Sequence, residues 1–109
     1  MKDCLILGDF NSNKIWDRKR CVCNHSEVVR ELDEIGIVSL YHEKYDMQQG
    51  EEANPTFYLQ RNLQKPYHID YIFMNKHSVN NVLDFEIGSI ETWLNVSDHL
   101  PVIAVLDLP

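Results

Sequence analysis

Three short polar motifs contain the residues of this chain that are best suited to chemistry. Residues 8–11 (Gly-Asp-Phe-Asn) follow an apolar run, residues 68–70 (His-Ile-Asp) begin another, and residues 97–99 (Ser-Asp-His) precede a third. Carboxylates, an amide and an imidazole can together hold a hydrated cation or a phosphate group and move a proton. Two of the motifs also have a purely structural interpretation, as a turn at Asp9 and as a turn aspartate and hydrogen-bonded loop histidine at Asp98 and His99.

The spacing within the motifs limits which side chains can cooperate. Asp98 and His99 are adjacent at the start of a predicted strand, so their side chains diverge and Asp98 cannot easily orient its neighbour. Asp70 lies within an apolar strand, where a carboxylate is costly without a partner, and we expect it to hold the imidazole of His99. Asp98 is then free to help hold a cation. The same adjacency argues against Ser97 as the nucleophile of a Ser-Asp-His triad.

Strands and one helix are needed to position these residues. Apolar and β-branched runs predict strands at residues 4–7, 37–41, 56–59, 68–74, 82–87 and 102–106, and residues 88–96 are predicted to be a loop. The apolar periodicity of residues 24–35, with Asn24 as N-cap and Gly36 as stop, predicts the main helix. In extended backbone, Asp9 and Asn11 would project to the same side and would suit a phosphate or a cation.

Length and charge restrict the class of protein. The chain has 109 residues, which predicts one domain, and its formal net charge is −7. This acidity argues against a dedicated, non-specific nucleic-acid binder, but not against an enzyme that acts on phosphates through a bound cation. No apolar run is long enough to span a membrane, so none is predicted to do so.

Two segments leave alternatives open. Residues 14–20 form a basic loop with one tryptophan, which either meets a substrate phosphate or base or is simply solvated. Cys21, Cys23 and His25 suggest zinc, but the spacing is shorter than in structural zinc sites and no second ligand pair is obvious. With Cys4 the cysteine count is three, which favours reduced thiols and a cytoplasmic location over a disulfide framework.

In this order, the motifs at residues 8–11, 68–73 and 97–99 resemble those of the endonuclease/exonuclease/phosphatase superfamily, the DNase I-like hydrolases. Thr56-Phe57 ahead of the Asp70 strand and the intervening helix add to the resemblance. It covers nearly the whole chain but only the second half of the family's domain. The resemblance implies an α+β fold, a mostly antiparallel sheet with one main helix, in which residues 1–109 form the C-terminal half of a two-sheet sandwich.

The resemblance also implies a function, the metal-dependent hydrolysis of phosphate esters by a nuclease or phosphatase, with Mg²⁺ or Mn²⁺ as cofactor. Asp9 would position or deprotonate the attacking water, and Asn11 would hold a phosphate oxygen. Asp98 would contribute to the metal site. His99, held by Asp70, would contact the phosphate or transfer a proton.

The sequence departs from the family pattern because the asparagine and the metal-binding glutamate of the family's first half have no counterpart in it. We therefore expect the chain to be inactive by itself. We also expect its exposed sheet face to pair with the missing N-terminal half or with a second copy. The alternative is a non-catalytic interaction module that keeps the fold without the chemistry. The motifs do not distinguish DNA, RNA, nucleotide, inositol or lipid phosphates as substrate.

Overall fold

A computed structural model describes residues 3–19 and 21–107. The strands within this part are β1 (Leu5–Asp9), β2 (Ile37–Ser39), β3 (Phe57–Tyr58), β4 (Pro66–Tyr67), β5 (Asp70–Asn75), β6 (Val82–Ile87) and β7 (Val102–Leu106). The α-helices are α1 (His25–Glu34), α2 (Leu40–Tyr45) and α3 (Ile90–Trp93), and short 3₁₀ turns cover Lys14–Trp16, Leu59–Arg61 and Lys76–Asn81. The fold is α+β with one main helix, and every strand pairing in the described residues is antiparallel, as predicted.

Within the described residues the strands form three small antiparallel sheets rather than the single mostly antiparallel sheet that the resemblance implied. β5 is the centre of the largest, with β1 and β2 on its two sides, while β3 pairs with β4 and β6 with β7. The predicted strand at residues 37–41 ends at Ser39, where the chain turns directly into α2. The buried Leu40 and Tyr41 that suggested a strand belong to that helix instead.

The alternation of β5 places its residues in two cores on opposite sides of the sheet. Ile72 and Met74 pack against the β6–β7 pair, whereas Tyr71 and Phe73 pack against α1. This division of faces follows from the two-residue period of a strand. The sheet face that was expected to be exposed, the one with Ile72 and Met74, is covered by β6 and β7.

The free edge of the central sheet is one exposed apolar surface. β1 pairs with β5 on one side only, and all five of its residues are exposed although the strand begins Leu-Ile-Leu. Leu5, Ile6 and Leu7 are 44%, 37% and 63% exposed. An apolar edge strand of this kind is normally paired or covered.

Helix α1 begins and ends close to its predicted limits. Asn24 is the N-cap residue, but its side chain bonds the backbone N–H and carbonyl of Arg18 rather than the helix. Gly36 follows the helix at φ +80°, a left-handed conformation that glycine adopts without strain, and its N–H bonds the carbonyl of Asp33.

Two further sequence predictions are wrong. Cys21 and Cys23 are joined as a disulfide, so these two residues are not the reduced thiols that the odd cysteine count suggested. Residues 88–96 contain the short helix α3, whose N-cap Ser89 accepts a hydrogen bond from the backbone N–H of Thr92. No helix in residues 3–19 or 21–107 has the length and apolar character needed to cross a membrane.

Candidate functional site

The antiparallel pairing of β1 with β5 brings two of the predicted residues together. Asp9, the last residue of β1, lies directly opposite Asp70, the first residue of β5. His99 joins them from the segment before β7, where it forms a β-bridge with Phe57. A ligand atom from each of Asp9, Asp70 and His99 lies within 4.8 Å of the other two. Residues 90 positions apart in the chain thus meet at one end of the sheet.

The His99 imidazole is held between the two carboxylates. Its Nδ1 lies 2.9 Å from an Asp70 carboxylate oxygen, and its Nε2 lies 3.7 Å from an Asp9 carboxylate oxygen. The shorter contact is a hydrogen bond, in which Nδ1–H donates to Asp70, while the longer contact exceeds hydrogen-bond distance. This bond fixes the ring so that Nε2 faces Asp9.

Asp9 uses its two carboxylate oxygens differently. Oδ1 accepts a 2.8 Å hydrogen bond from the backbone N–H of Asn11, and Oδ2 faces His99. The bond to Asn11 closes the turn at Asp9 that the structural interpretation predicts. The turn therefore fixes the direction of the carboxylate. Asn11 has φ +49°, so it is not in the extended conformation that the sequence argument assumed.

Two of the predicted site residues lie outside this cluster. Asn11 is exposed and does not line the cleft that opens beside Asp9, Asp70 and His99. The backbone carbonyl of Asp98 accepts a hydrogen bond from Tyr58, and Asp98 lines a separate shallow surface with Gln60 and Arg61. Their roles in phosphate and metal binding remain predictions from the resemblance.

Thr56, which the motifs did not indicate as a site residue, positions the site. Its hydroxyl oxygen accepts hydrogen bonds from the N–H groups of Ile69 and Asp70 at 3.0 and 3.1 Å. Its carbonyl accepts the N–H of Leu100 at 2.7 Å, and its side chain is fully buried. Thr56 therefore links the segments that carry Asp70 and His99. Its place directly after Asn54-Pro55, a turn-forming pair, and ahead of the Asp70 strand is the signal that could have identified it.

A cleft of about 520 Å³ adjoins the cluster. Asp9, Asp70 and His99 form its polar end, and the remaining lining is largely apolar, with Leu7, Ile72, Trp93, Pro101 and Val102 among the residues that line it. The cluster is thus accessible to a small molecule or to part of a larger one. Its carboxylate oxygens are ligands of the kind that Mg²⁺ or Mn²⁺ accepts.

A buried polar network holds the loop that follows Asp9. The Asn13 side-chain amide lies 2.8 Å from the His68 carbonyl, 3.0 Å from a Glu52 carboxylate oxygen and 3.2 Å from the Tyr71 hydroxyl. The Tyr71 hydroxyl donates to the carbonyl of Ser12 at 2.8 Å. These bonds attach the loop after Asp9 to residues on both sides of Asp70, so they hold the two carboxylates in register.

Glu52 is the charged centre of that network. Its carboxylate accepts hydrogen bonds from His42 Nε2 at 2.6 Å, from Asn13 at 3.0 Å and from the Gly50 N–H at 2.9 Å. Burial alone would raise its pKa, but these hydrogen bonds outweigh burial and lower the pKa of Glu52 to about 2. Burial raises the pKa of the neighbouring Tyr71 well above its usual value.

His68 also contributes to this network, in addition to His42. Its Nδ1–H donates to the Asn54 carbonyl at 2.7 Å, which leaves Nε2 as the unprotonated nitrogen. Burial lowers the pKa of His68, so the ring is held neutral. Nε2 is itself buried and has no hydrogen-bond partner within the described residues. His68 therefore serves the network through its carbonyl and its packing rather than through its charge.

The structure bears on the zinc alternative at the cysteine pair. Cys21 and Cys23 are bonded to each other, and disulfide sulfurs are not thiolate ligands. Within residues 3–19 and 21–107, the group of histidine and carboxylate side chains close enough to share an ion is Asp9, Asp70 and His99.

No protein-family model matches the chain, and no curated protein matches it.

Proposed function

We propose that this chain carries part of the active site of a metal-dependent phosphoester hydrolase of the nuclease or phosphatase type. The observation that supports this most directly is the convergence of Asp9, Asp70 and His99 at the polar end of an open cleft. The order of the three sequence motifs supports the same class of enzyme.

The proposed roles follow from the hydrogen bonds. Asp70 holds the Nδ1–H of His99, so Nε2 is the atom that contacts a phosphate oxygen or transfers a proton. Asp9, with one oxygen fixed by its turn and the other facing the cleft, positions the attacking water. A cation bound by the carboxylates supplies neutralisation of the phosphate charge. Asn11 is proposed to hold a phosphate oxygen, and Asp98 to assist the metal.

We propose that the complete site needs further residues from outside this chain. They come either from another part of the same domain or from a second copy of this chain. Mg²⁺ prefers six oxygen ligands in near-ideal geometry, and the cluster offers fewer. The exposed apolar edge at β1 runs directly into Asp9, so whatever covers that edge lies next to the cation. Turnover by this chain alone is expected to be negligible.

The test therefore begins with metal binding rather than with catalysis. Mn²⁺ titrated into the protein should broaden the NMR signals of Asp9, Asp70 and His99 before those of other residues. Asp9→Asn should weaken Mn²⁺ binding by at least tenfold. Asp84→Asn is the matched control, because Asp84 is an exposed carboxylate on β6, away from the cleft. Uniform broadening, or equal affinity in the two variants, would contradict the proposal.

Catalysis is the second readout. Bis-p-nitrophenyl phosphate with Mn²⁺ should be hydrolysed negligibly by the chain alone, and any turnover should disappear in His99→Ala. Turnover that survives in His99→Ala would contradict the role given to His99.

The second candidate is a non-catalytic interaction module, which the exposed β1 edge favours. The two candidates differ in their response to metal. An interaction module would self-associate or bind a partner with no site-specific Mn²⁺ binding, whereas the hydrolase requires Mn²⁺ at Asp9.

A further inference from the structure

Aromatic side chains form a continuous strip that begins at His99 and leads away from the cleft. The Phe57 ring lies 4.7 Å from the His99 ring, the Tyr67 ring 6.4 Å from Phe57, and the Trp16 ring 5.2 Å from Tyr67, measured between ring centroids. Trp16, at the far end, is 48% exposed, and Phe57 and Tyr67 are half-buried. We call these three residues the aromatic strip.

The aromatic strip is built by the same elements that position the site. Phe57 lies opposite Tyr67 in the β3–β4 pair, and Phe57 also forms the β-bridge to His99. Trp16 ends the 3₁₀ turn that follows Asp9, and Asn13 caps that turn by accepting the N–H of Ile15. The strip is therefore fixed relative to both Asp9 and His99.

Basic residues follow the exposed end of the aromatic strip. Arg18 and Lys19 come two and three residues after Trp16 and are exposed, and neither forms an ion pair within the part of the chain that the structure describes. Their charge contrasts with the net charge of −7 for the whole chain. A surface with a phosphate-type site at one end, aromatic rings along it and cations at the other end matches a nucleic-acid strand.

We infer that the substrate is a single-stranded nucleic acid or the unpaired end of one, whose bases stack on the aromatic strip beside the scissile phosphate. This inference rests on the proposed function. Stacking on aromatic rings is sequence-tolerant because every base has a π-face, whereas inositol and lipid headgroups have none. The solvated-loop interpretation of residues 14–20 predicts no such role for Trp16.

The experiment uses an eight-residue oligothymidylate and an abasic oligonucleotide of the same length, in EDTA and at low salt. Trp93→Phe leaves Trp16 as the tryptophan that reports binding through its fluorescence. Oligothymidylate should quench Trp16, and the abasic strand, which has the same phosphates without bases, should not. Equal quenching by both strands, or none by either, would overturn the inference.

Substitutions sharpen the test. Because the Trp16 variants lack the reporting tryptophan, their affinity is measured by the fluorescence anisotropy of a dye-labelled oligothymidylate. Trp16→Ala should weaken oligothymidylate binding about tenfold, the change expected for one stacked base, and Trp16→Phe should restore most of it. Ile15→Ala is the matched control, because Ile15 is an exposed apolar neighbour outside the strip, and it should change the affinity less than twofold. Binding to phosphoinositide vesicles in preference to oligothymidylate would also overturn the inference.

The oligonucleotide titration is done in EDTA, so its result does not depend on metal binding and can be compared with the Mn²⁺ titration that tests the proposed function. If Mn²⁺ fails to bind at Asp9 while oligothymidylate still quenches Trp16, the hydrolase proposal fails and base stacking stands. If Mn²⁺ binds but oligothymidylate does not quench Trp16, the hydrolase proposal stands and its substrate is of another class.

Discussion

The histidine–carboxylate pairs His42–Glu52 and His99–Asp70 differ in what surrounds them. His42 Nε2 lies 2.6 Å from Glu52, and His99 Nδ1 lies 2.9 Å from Asp70. The His42 and Glu52 side chains are 9% and 4% exposed, whereas those of His99 and Asp70 are 33% and 15% exposed. The His42–Glu52 pair is therefore buried, whereas the His99–Asp70 pair is partly exposed to solvent.

The two pairs also differ in unused hydrogen-bonding capacity. The Glu52 carboxylate accepts three donors, and His42 Nδ1 contacts the Ser39 hydroxyl at 2.6 Å, so the buried pair has little capacity left. In the open pair, His99 Nε2 has the Asp9 carboxylate at 3.7 Å, beyond hydrogen-bond distance. A saturated pair stabilises the fold, and an unsaturated pair beside a cleft is available to a ligand.

The largest expected effect comes from removing the buried carboxylate. Glu52→Ala should lower the free energy of unfolding by about 3 kcal/mol, because it leaves His42 and Asn13 buried without their acceptor. Urea denaturation measures this change. Glu52→Gln, which keeps an acceptor oxygen, is the control and should cost less. A loss below about 1 kcal/mol in Glu52→Ala would show that the network is not structural.

Acid should weaken the same pair. The pKa of Glu52 is lowered from 4.5 to about 2 in the folded protein. Its stabilising contribution is therefore complete above pH 4.5 and is lost as the pH falls toward 2. We expect a loss of roughly 2 kcal/mol across this range, after allowing for solvent screening. Urea denaturation at several pH values should show this dependence in the parent protein and little of it in Glu52→Gln.

Asn13 connects the two regions, so its removal should affect both. Asn13→Ala should cost about 1–2 kcal/mol, because the Glu52 carboxylate and the His68 carbonyl each lose a buried donor. It should also weaken Mn²⁺ binding, since the loop that follows Asp9 loses its hydrogen bonds to Glu52 and to the His68 carbonyl. Asn95→Ala is the control, as Asn95 is exposed. Unchanged Mn²⁺ affinity in Asn13→Ala would show that the buried network does not affect the Asp9–Asp70–His99 cluster.

The smallest effect on stability is expected in the open pair. His99→Gln should change the free energy of unfolding by less than about 1 kcal/mol, since the side chain is one-third exposed and the glutamine amide can still donate a hydrogen bond to Asp70. His42→Gln, the matching change in the sealed pair, should cost more. If the two variants lost equal stability, the distinction between a structural and a reactive pair would fail.

The sequence predicted the elements near the site better than their arrangement into sheets. The strand that contains Asp70, the main helix and the last strand were each predicted close to their observed limits, because their periodicity is strong. The prediction that Asp70 would hold His99 agrees with the observed hydrogen bond. It required only that a carboxylate within an apolar strand have a partner.

Other features could not be predicted from local patterns. A buried apolar pair such as Leu40 and Tyr41 fits a strand or a helix equally well, and tertiary packing made it a helix. Glu52 lies in a polar segment with no periodicity, so nothing in its neighbourhood indicated that it would be buried. Its burial depends on His42 and Asn13, which are 10 and 39 residues away.

The sequence by itself determined the chemical groups, the strand that carries Asp70 and the two faces of that strand, because these depend on residue type and on a period of two. Only the tertiary structure decided which histidine faces a cleft and which is enclosed. That outcome depends on the pairing of β1 with β5 and on the bridge between Phe57 and His99, contacts between residues far apart in the chain.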